Sequence, residues 1–146
     1  LLQKQKNKIK MEKMESKTNR ERLTELYLQY NLNEEDIFKH KKFGYVMITR
    51  TGIEKIMAHD GITIEFKIES LNSDGCVIKA TGMKGDVKIE TFGTATKANC
   101  NNTYFTEMSE KRAKARVVLQ ITSFYSLGVY SDVEVDEWNQ MHKSNQ

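Results

Sequence analysis

The residues with the clearest chemical potential lie in one short run in the last third of the chain. Residues 107–116 read E-M-S-E-K-R-A-K-A-R, and four of them are cations within six positions: Lys111, Arg112, Lys114 and Arg116. On a helix Arg112 and Arg116 stand one turn apart, where two like charges cost about 0.2–0.5 kcal/mol unless something compensates them. Because a planar guanidinium matches phosphate oxygens well, the run predicts a phosphate-binding stripe.

The same stripe has a second interpretation, in which the arginines are paired inside the protein. Glu107, Glu110 or carboxylates of a neighbouring sheet would neutralise them. In that case the helix has a structural role, and removing the arginines lowers stability rather than affinity.

Other reactive residue types form no recognisable catalytic pattern. The three histidines, His40, His59 and His142, have no second His or Cys at ligand spacing. Neither G-x-x-x-x-G-K-[ST] nor G-x-G-x-x-G occurs, and no nucleophile has a nearby base. The dipeptide Asp60-Gly61 indicates the turn that ends a helix rather than half of an acid/base pair. We therefore expect no metal, no cofactor and no enzymatic activity. Cys76 and Cys100 lack a CxxC pattern, so we expect free thiols.

The stripe needs a scaffold, and the central third of the chain predicts one. Apolar and polar side chains alternate over residues 62–69, and alternation resumes over 76–81 and again from 87 to 92. The intervening segments, 72–75 and 82–86, carry Gly, Asn and Asp, which favour turns. This pattern predicts a three-stranded antiparallel meander.

Helical patterns flank the meander. They cover residues 19–30 behind a capping box at Thr18 and Glu21, a short turn over 33–38, residues 50–58, and a long helix over 104–125. The open sheet exposes an apolar face that the long helix can cover. The predicted fold class is α+β: a three-stranded antiparallel meander packed by one long helix, a β-β-β-α core, with N-terminal helices.

Charge divides the chain into three predicted parts. Residues 1–17 are a basic flexible arm, 18–130 form a single α+β domain, and 131–146 are an acidic C-terminal segment with a short terminal helix over 131–141. No apolar run approaches the roughly 18 residues of a membrane span, and no secretory pattern opens the chain. We expect no contact with a membrane.

Part of this sequence resembles a known family. The third strand ends Phe92-Gly93-Thr94-Ala95-Thr96, a loop containing Asn99 follows, and residues 108–116 read M-S-E-K-R-A-K-A-R. Over residues 85–130 these features resemble phage and bacterial relatives of the Rad-fifty-two-like single-strand annealing proteins. The resemblance implies a β-β-β-α core that assembles into rings or filaments and holds single-stranded DNA in a cationic groove. By position, it assigns the groove cations to Arg112 and Arg116, and also to Lys111 and Lys114.

The functional prediction is single-stranded DNA binding and ATP-independent strand annealing in recombination or repair, by a homo-oligomer in the cytoplasm of a bacterial or phage-infected cell. Two alternatives stay open: an RNA- or protein-binding module, and a structural oligomer without a nucleic-acid role. Salt-dependent affinity for single-stranded DNA, compared with duplex DNA and RNA, separates them.

Overall fold

The computed structural model describes residues 2–15 and 18–134 and has the mixed α+β architecture that the sequence predicts. In chain order the elements are α1 (Leu2–Glu15), α2 (Asn19–Gln29), β1 (Ile37–Lys39), β2 (Val46–Ile48), α3 (Arg50–Asp60), β3 (Thr63–Asn72), β4 (Gly75–Lys84), β5 (Val87–Thr96), α4 (Phe105–Ile121), a 3-10 turn (Tyr125–Leu127) and β6 (Val129–Ser131). Among these helices, none is long and apolar enough to cross a bilayer.

The predicted meander is confirmed as an antiparallel sheet in which β4 lies between β3 and β5. Two-residue turns connect the strands, since Asn72 pairs with Gly75 and Lys84 pairs with Val87. In the second turn Gly85 has a φ of +58°, a left-handed conformation that glycine adopts without steric cost. The strands are longer than the alternation predicted, and β3 carries an irregularity just after Ile68.

Helix α4 crosses one face of this sheet, and small residues let it lie very close. A β-carbon added to Gly93 would lie 2.5 Å from the backbone nitrogen of Ala113, well inside van der Waals contact. The Ser109 hydroxyl donates a hydrogen bond of 2.9 Å to the carbonyl oxygen of Cys76. Ala80 and Ala95 complete the buried surface of the sheet under the helix. The helix therefore packs backbone against backbone.

The other side of α4 is buried as well. Val118 and Leu119 belong to a second cluster with Ile53 and Ile56 of α3 and with Phe124. Helix α4 thus lies between the sheet and the N-terminal elements, with apolar contacts on both sides. A helix in this position cannot offer one whole face to a ligand.

A second, smaller sheet lies at the edge of the N-terminal layer, with β2 between β1 and β6. Strand β1 is antiparallel to β2, and β6 is parallel to it. The prediction of a helical turn over residues 33–38 is wrong for its last two residues, because Ile37 and Phe38 belong to strand β1. Pairing with β2 overrides the local helical preference here.

The long helix is shorter than predicted. It ends at Ile121, because the Thr122 hydroxyl bonds to the carbonyl oxygen of Val118 and Ser123 takes a left-handed φ of +69°. The chain therefore turns away before Phe124, which is buried as a core residue.

The structure describes most of the N-terminal arm but only the first residues of the C-terminal segment. Residues 2–15 form helix α1, whereas the sequence predicted an extended or frayed arm, and the side chains of residues 2–8 are exposed. The predicted terminal helix over 131–141 lies mainly outside the described residues, as do most of the acidic segment 131–146 and His142.

The close approach of α4 gives a first prediction. Replacing Gly93→Ala should lower the free energy of unfolding by about 1–3 kcal/mol or more, because the new methyl group meets helix backbone that cannot move independently. Urea unfolding monitored by circular dichroism measures this. Thr94→Ala, on the next residue and the opposite face of the strand, is the control and should cost less than about 1 kcal/mol. Equal stability of the two variants would contradict the packing described above.

Candidate nucleic-acid interface

Arg112, the first predicted phosphate ligand, is 1% exposed. Its Nη1 donates to the carbonyl oxygen of Thr94 at 2.8 Å and to the Asn99 Oδ1 at 3.0 Å, and its Nη2 donates to the Asn99 carbonyl oxygen at 2.7 Å. One guanidinium therefore joins α4 to the end of β5 and to the loop that follows. A buried cation needs such partners, since desolvating it without them is very costly.

Arg116 has a similar arrangement one turn later. Its Nη1 donates to the carbonyl oxygen of Phe92 at 2.9 Å, and its Nε donates to Glu134 Oε1 at 2.6 Å. Glu134 is fully buried, and its backbone N–H donates to the Ser131 hydroxyl. The pair thus fixes the chain just beyond β6 against α4.

The two arginines act on the same edge of the sheet. Strand β5 is an edge strand, and Arg112 and Arg116 bind the carbonyl oxygens of Thr94 and Phe92, two residues apart. Four residues of helix rise about 6 Å, and two residues of strand span about 6.6 Å. The i, i+4 spacing on the helix therefore matches the i, i+2 spacing of outward-facing carbonyl groups on the strand.

This geometry disagrees with the predicted phosphate-binding role of Arg112 and limits that of Arg116. The guanidinium group of Arg112 is enclosed by protein, and that of Arg116 is shared between a carboxylate and a backbone carbonyl. The alternative interpretation, internal pairing, describes both residues better. The carboxylate involved is Glu134 rather than Glu107 or Glu110.

The two lysines of the predicted site lie on another side of α4. Lys114 forms an ion pair with Glu54 of α3, and Lys111 is exposed. Both line a cleft of about 400 Å³ that also contains a cation at Arg50 and four acidic residues: Glu54, Glu107, Glu110 and Asp132. Mixed charge of this kind does not make a phosphate groove, so the four predicted cations do not share one binding surface.

A different segment combines exposed cations with aromatic rings. Residues 39–45 read K-H-K-K-F-G-Y and form the connection between β1 and β2, which we call the basic hairpin. The His40 N–H donates to the Tyr45 carbonyl oxygen at 2.8 Å, and the His40 Nδ1 accepts from the backbone N–H groups of Lys42 and Phe43 at 3.2 and 3.1 Å. Gly44, with a φ of +75°, turns the chain back. The hairpin therefore has a defined backbone shape.

The aromatic rings of the basic hairpin stack on one another. Phe43 stacks on His40, with ring centroids 5.2 Å apart, and on Tyr45, with centroids 5.9 Å apart and planes 11° apart. Tyr45 in turn meets Tyr130 of β6 edge to face at 5.8 Å. Phe43 remains 60% exposed, and the Lys42 ammonium lies 5.4 Å from the centre of its ring. An exposed aromatic platform thus stands beside three exposed lysines: Lys39, Lys41 and Lys42.

The base of the basic hairpin is anchored by a buried carboxylate. Asp36 accepts from Lys55 Nζ at 2.6 Å, from the Thr51 hydroxyl at 2.9 Å and from the Asn33 backbone N–H at 3.0 Å. Burial raises the pKa of Asp36, but these hydrogen bonds and the Lys55 charge outweigh that effect and hold the pKa below its ordinary value of 3.8. Asp36 therefore ties the start of β1 to α3.

The Asp60 carboxylate has a comparable structural role. It accepts from the Tyr30 hydroxyl at 2.6 Å and contacts Lys84 Nζ and His59 Nδ1, each at 2.9 Å. Burial raises the pKa of Asp60, but the three hydrogen bonds and the Lys84 charge bring it below 3.8. Gly61 caps α3 in a left-handed conformation, so Asp60-Gly61 is the helix-ending turn that the sequence predicts. Within residues 2–15 and 18–134, no three His, Cys, Asp or Glu side chains come together as metal ligands would.

Comparisons with protein-family models, with curated proteins and with solved structures give no match to this chain. The resemblance that the sequence suggests thus has no further support from relatives. The geometry of the described residues is therefore the basis on which we infer a function. The sequence reasoning missed the basic hairpin, although its signal was present as cations interleaved with aromatic residues.

The role of Arg112 is testable by stability. Arg112→Ala should lower the free energy of unfolding by about 3 kcal/mol or more, because it leaves buried carbonyl groups unpaired and opens a cavity. Lys111→Ala, the adjacent exposed cation on the same helix, is the matched control and should leave stability within about 0.5 kcal/mol. Chemical denaturation of both variants measures the difference. Unchanged stability in Arg112→Ala would contradict the edge contacts.

The low pKa of Asp36 gives a pH prediction. A carboxyl whose pKa is lower in the folded state adds stability above its unfolded value, here 3.8, and that stability is lost as the pH falls through the folded pKa. Asp36→Asn should therefore destabilise the protein at pH 7 and have a much smaller effect near pH 2. Thermal midpoints measured across this range test the prediction. The exposed Asp74→Asn serves as control and should shift the midpoint little at any pH.

Proposed function

We propose that this protein binds single-stranded nucleic acid, and single-stranded DNA in particular, through the basic hairpin. The observation that carries the proposal is the exposed Phe43 ring, stacked on His40 and Tyr45 and flanked by lysines. Single-strand binding proteins combine aromatic rings, on which bases stack, with cations that follow the phosphate backbone. The basic hairpin supplies both within seven residues.

The arrangement favours a single strand over a duplex. A base can stack on Phe43 only when one of its faces is free. Inside a duplex both faces of each base are covered by the adjacent bases. The three lysines are flexible point charges that suit phosphate contacts without fixing a sequence. We therefore expect sequence-independent binding with a strong salt dependence.

Strand annealing follows from the same geometry. Stacking and phosphate contacts leave the base-pairing edges of a bound strand free, so a second strand can pair with it without nucleotide hydrolysis. The β-β-β-α core agrees with the fold that the resemblance to single-strand annealing proteins implies. In this proposal the protein works as a homo-oligomer in recombination or repair, in a bacterial or phage-infected cytoplasm, and the exposed lysines among residues 2–8 add phosphate contacts.

The test compares binding by variants of the basic hairpin. Lys41→Ala combined with Lys42→Ala should lower the slope of log K against log salt by about 1.4, since each lost phosphate contact with a single strand contributes about 0.7. Phe43→Ala should weaken binding by about tenfold or more, because one base loses its stacking partner. Fluorescence anisotropy with a labelled oligonucleotide at several salt concentrations measures both effects.

A control pair removes the same charge elsewhere. The control variant combines Lys88→Ala with Lys97→Ala, which removes two exposed lysines, one on β5 and one in the turn that follows it. It should change the slope of log K against log salt much less. Equal effects of the two pairs would mean that only net charge matters, and the basic hairpin would not be the site. Tighter binding to RNA or to duplex DNA of equal length would favour the RNA-binding alternative or a duplex-binding one.

A further inference from the structure

One strand of the large sheet exposes apolar side chains beside α4. Opposite residues in an antiparallel pair point to the same face, and Phe66 and Ile68 pair with Ala80 and Ile78, which lie under the helix. Phe66 and Ile68 nevertheless remain 40% and 52% exposed, since α4 lies mainly over β4 and β5. We call these two side chains, together with the partly buried Ile64, the β3 stripe.

The two edges of the sheet are not equivalent. On β5, Arg112 and Arg116 bind the outward carbonyl groups of Thr94 and Phe92, so another strand cannot pair there. Strand β3 is the opposite edge, and among the described strands it pairs with β4 alone. A head-to-tail contact that joins β3 of one copy to β5 of the next would therefore have to displace these arginines at the Phe92–Thr94 end of β5.

The ladder geometry shows which groups of β3 face outward. Lys84 and Val87 flank a two-residue turn, so the backbone N–H and C=O groups of Lys84 bond to β5. Along β4, successive residues direct these groups alternately to β5 and to β3. Lys79, Thr81 and Met83 then bond towards β3. Their partners on β3 are Lys67, Glu65 and Thr63, which leaves the N–H and C=O groups of Ile64, Phe66 and Ile68 directed at the open edge. The outward carbonyl groups of Phe92 and Thr94 fit the same alternation on β5.

Charge selects one register for pairing β3 with a second copy of itself. With Phe66 on the two-fold axis, Glu65 of each copy faces Lys67 of the other, and Ile64 faces Ile68. With Lys67 on the axis, Lys67 faces Lys67 of the second copy, and Glu65 faces Glu69. Like charges therefore lie opposite each other in this register. Glu65 and Lys67 are exposed. The irregularity after Ile68 ends the regular stretch of β3.

We propose that the protein forms a two-fold symmetric dimer through antiparallel pairing of β3 with β3 of a second copy, centred on Phe66. The outward backbone groups of Ile64, Phe66 and Ile68 bond across the interface, and the β3 stripes of both copies form one apolar surface. The proposal is independent of nucleic-acid binding, because it rests on a different surface.

Charge reversal tests the register. Sedimentation equilibrium of the whole chain at tens of micromolar should show a dimer. Glu65→Lys should weaken dimerisation about tenfold, since each of its two copies then faces a lysine. The double variant Glu65→Lys/Lys67→Glu restores opposite charges and should recover the original dissociation constant. A monomeric wild-type chain, a ring or filament as its only assembly, or a double variant no tighter than Glu65→Lys would overturn the proposal.

Cross-linking tests the axis directly. Residues opposite each other in a bonded antiparallel pair have α-carbons about 5.5 Å apart, which is within the range of a disulfide. Phe66→Cys should therefore form a covalent dimer under mild oxidation. Thr63→Cys is the control, because its two copies would lie about 20 Å apart along the strands. The native Cys76 and Cys100 are buried and give a low background. Equal cross-linking of the two variants, or none at position 66, would overturn the proposed axis.

Discussion

The structure depends on the contact between two arginines of α4 and the edge of β5. Arg112 and Arg116 hold the helix to the Thr94 and Phe92 carbonyl groups, and each extends the contact to a further segment. Through Asn99 the first arginine fixes the loop that leads into the helix, and through Glu134 the second fixes the chain after β6. Four parts of the chain thus meet at two guanidinium groups, and the small residues of the sheet let the helix come near enough to make this possible.

This constraint also decides which surfaces remain for recognition. Arg112 and Arg116 satisfy backbone carbonyl groups inside the fold, so α4 has fewer cations available to phosphate than its composition indicated. Exposed cations and rings instead meet at the basic hairpin, which is held by Asp36 and by the aromatic contact to Tyr130. The arginines likewise close one edge of the sheet and leave β3 open. The surfaces that we propose for recognition and for assembly therefore lie on separate parts of the molecule.

The sequence predicts most of the secondary structure because its signals are local. The alternation over 62–69 and the turn residues of the meander depend only on near neighbours, and so does the Thr18 cap of α2, whose hydroxyl accepts from the Glu21 N–H. Strand β1 depends on its pairing with β2, whereas the end of α4 is set locally by Thr122 and Ser123, and both differ from the prediction. The burial of Arg112 depends on contacts with β5 and Asn99 that exist only in the fold, because an arginine is usually a surface residue. Gly93 and Ala113 were a usable signal, because small residues facing each other indicate a close helix.

The order of the elements along the chain has a consequence for biosynthesis. The large sheet and α4 occupy one continuous stretch, residues 63–121, in which two-residue turns join the strands, and such sequence-local contacts favour fast folding. Residues 18–60 precede this stretch on the ribosome, and their apolar cluster is complete only when Val118 and Leu119 of α4 join it. Glu134 emerges 18 residues after Arg116, so the second half of the edge contact is completed last. Until Glu134 joins, Arg116 lacks its carboxylate partner, so the nascent β5 edge is only partly fixed.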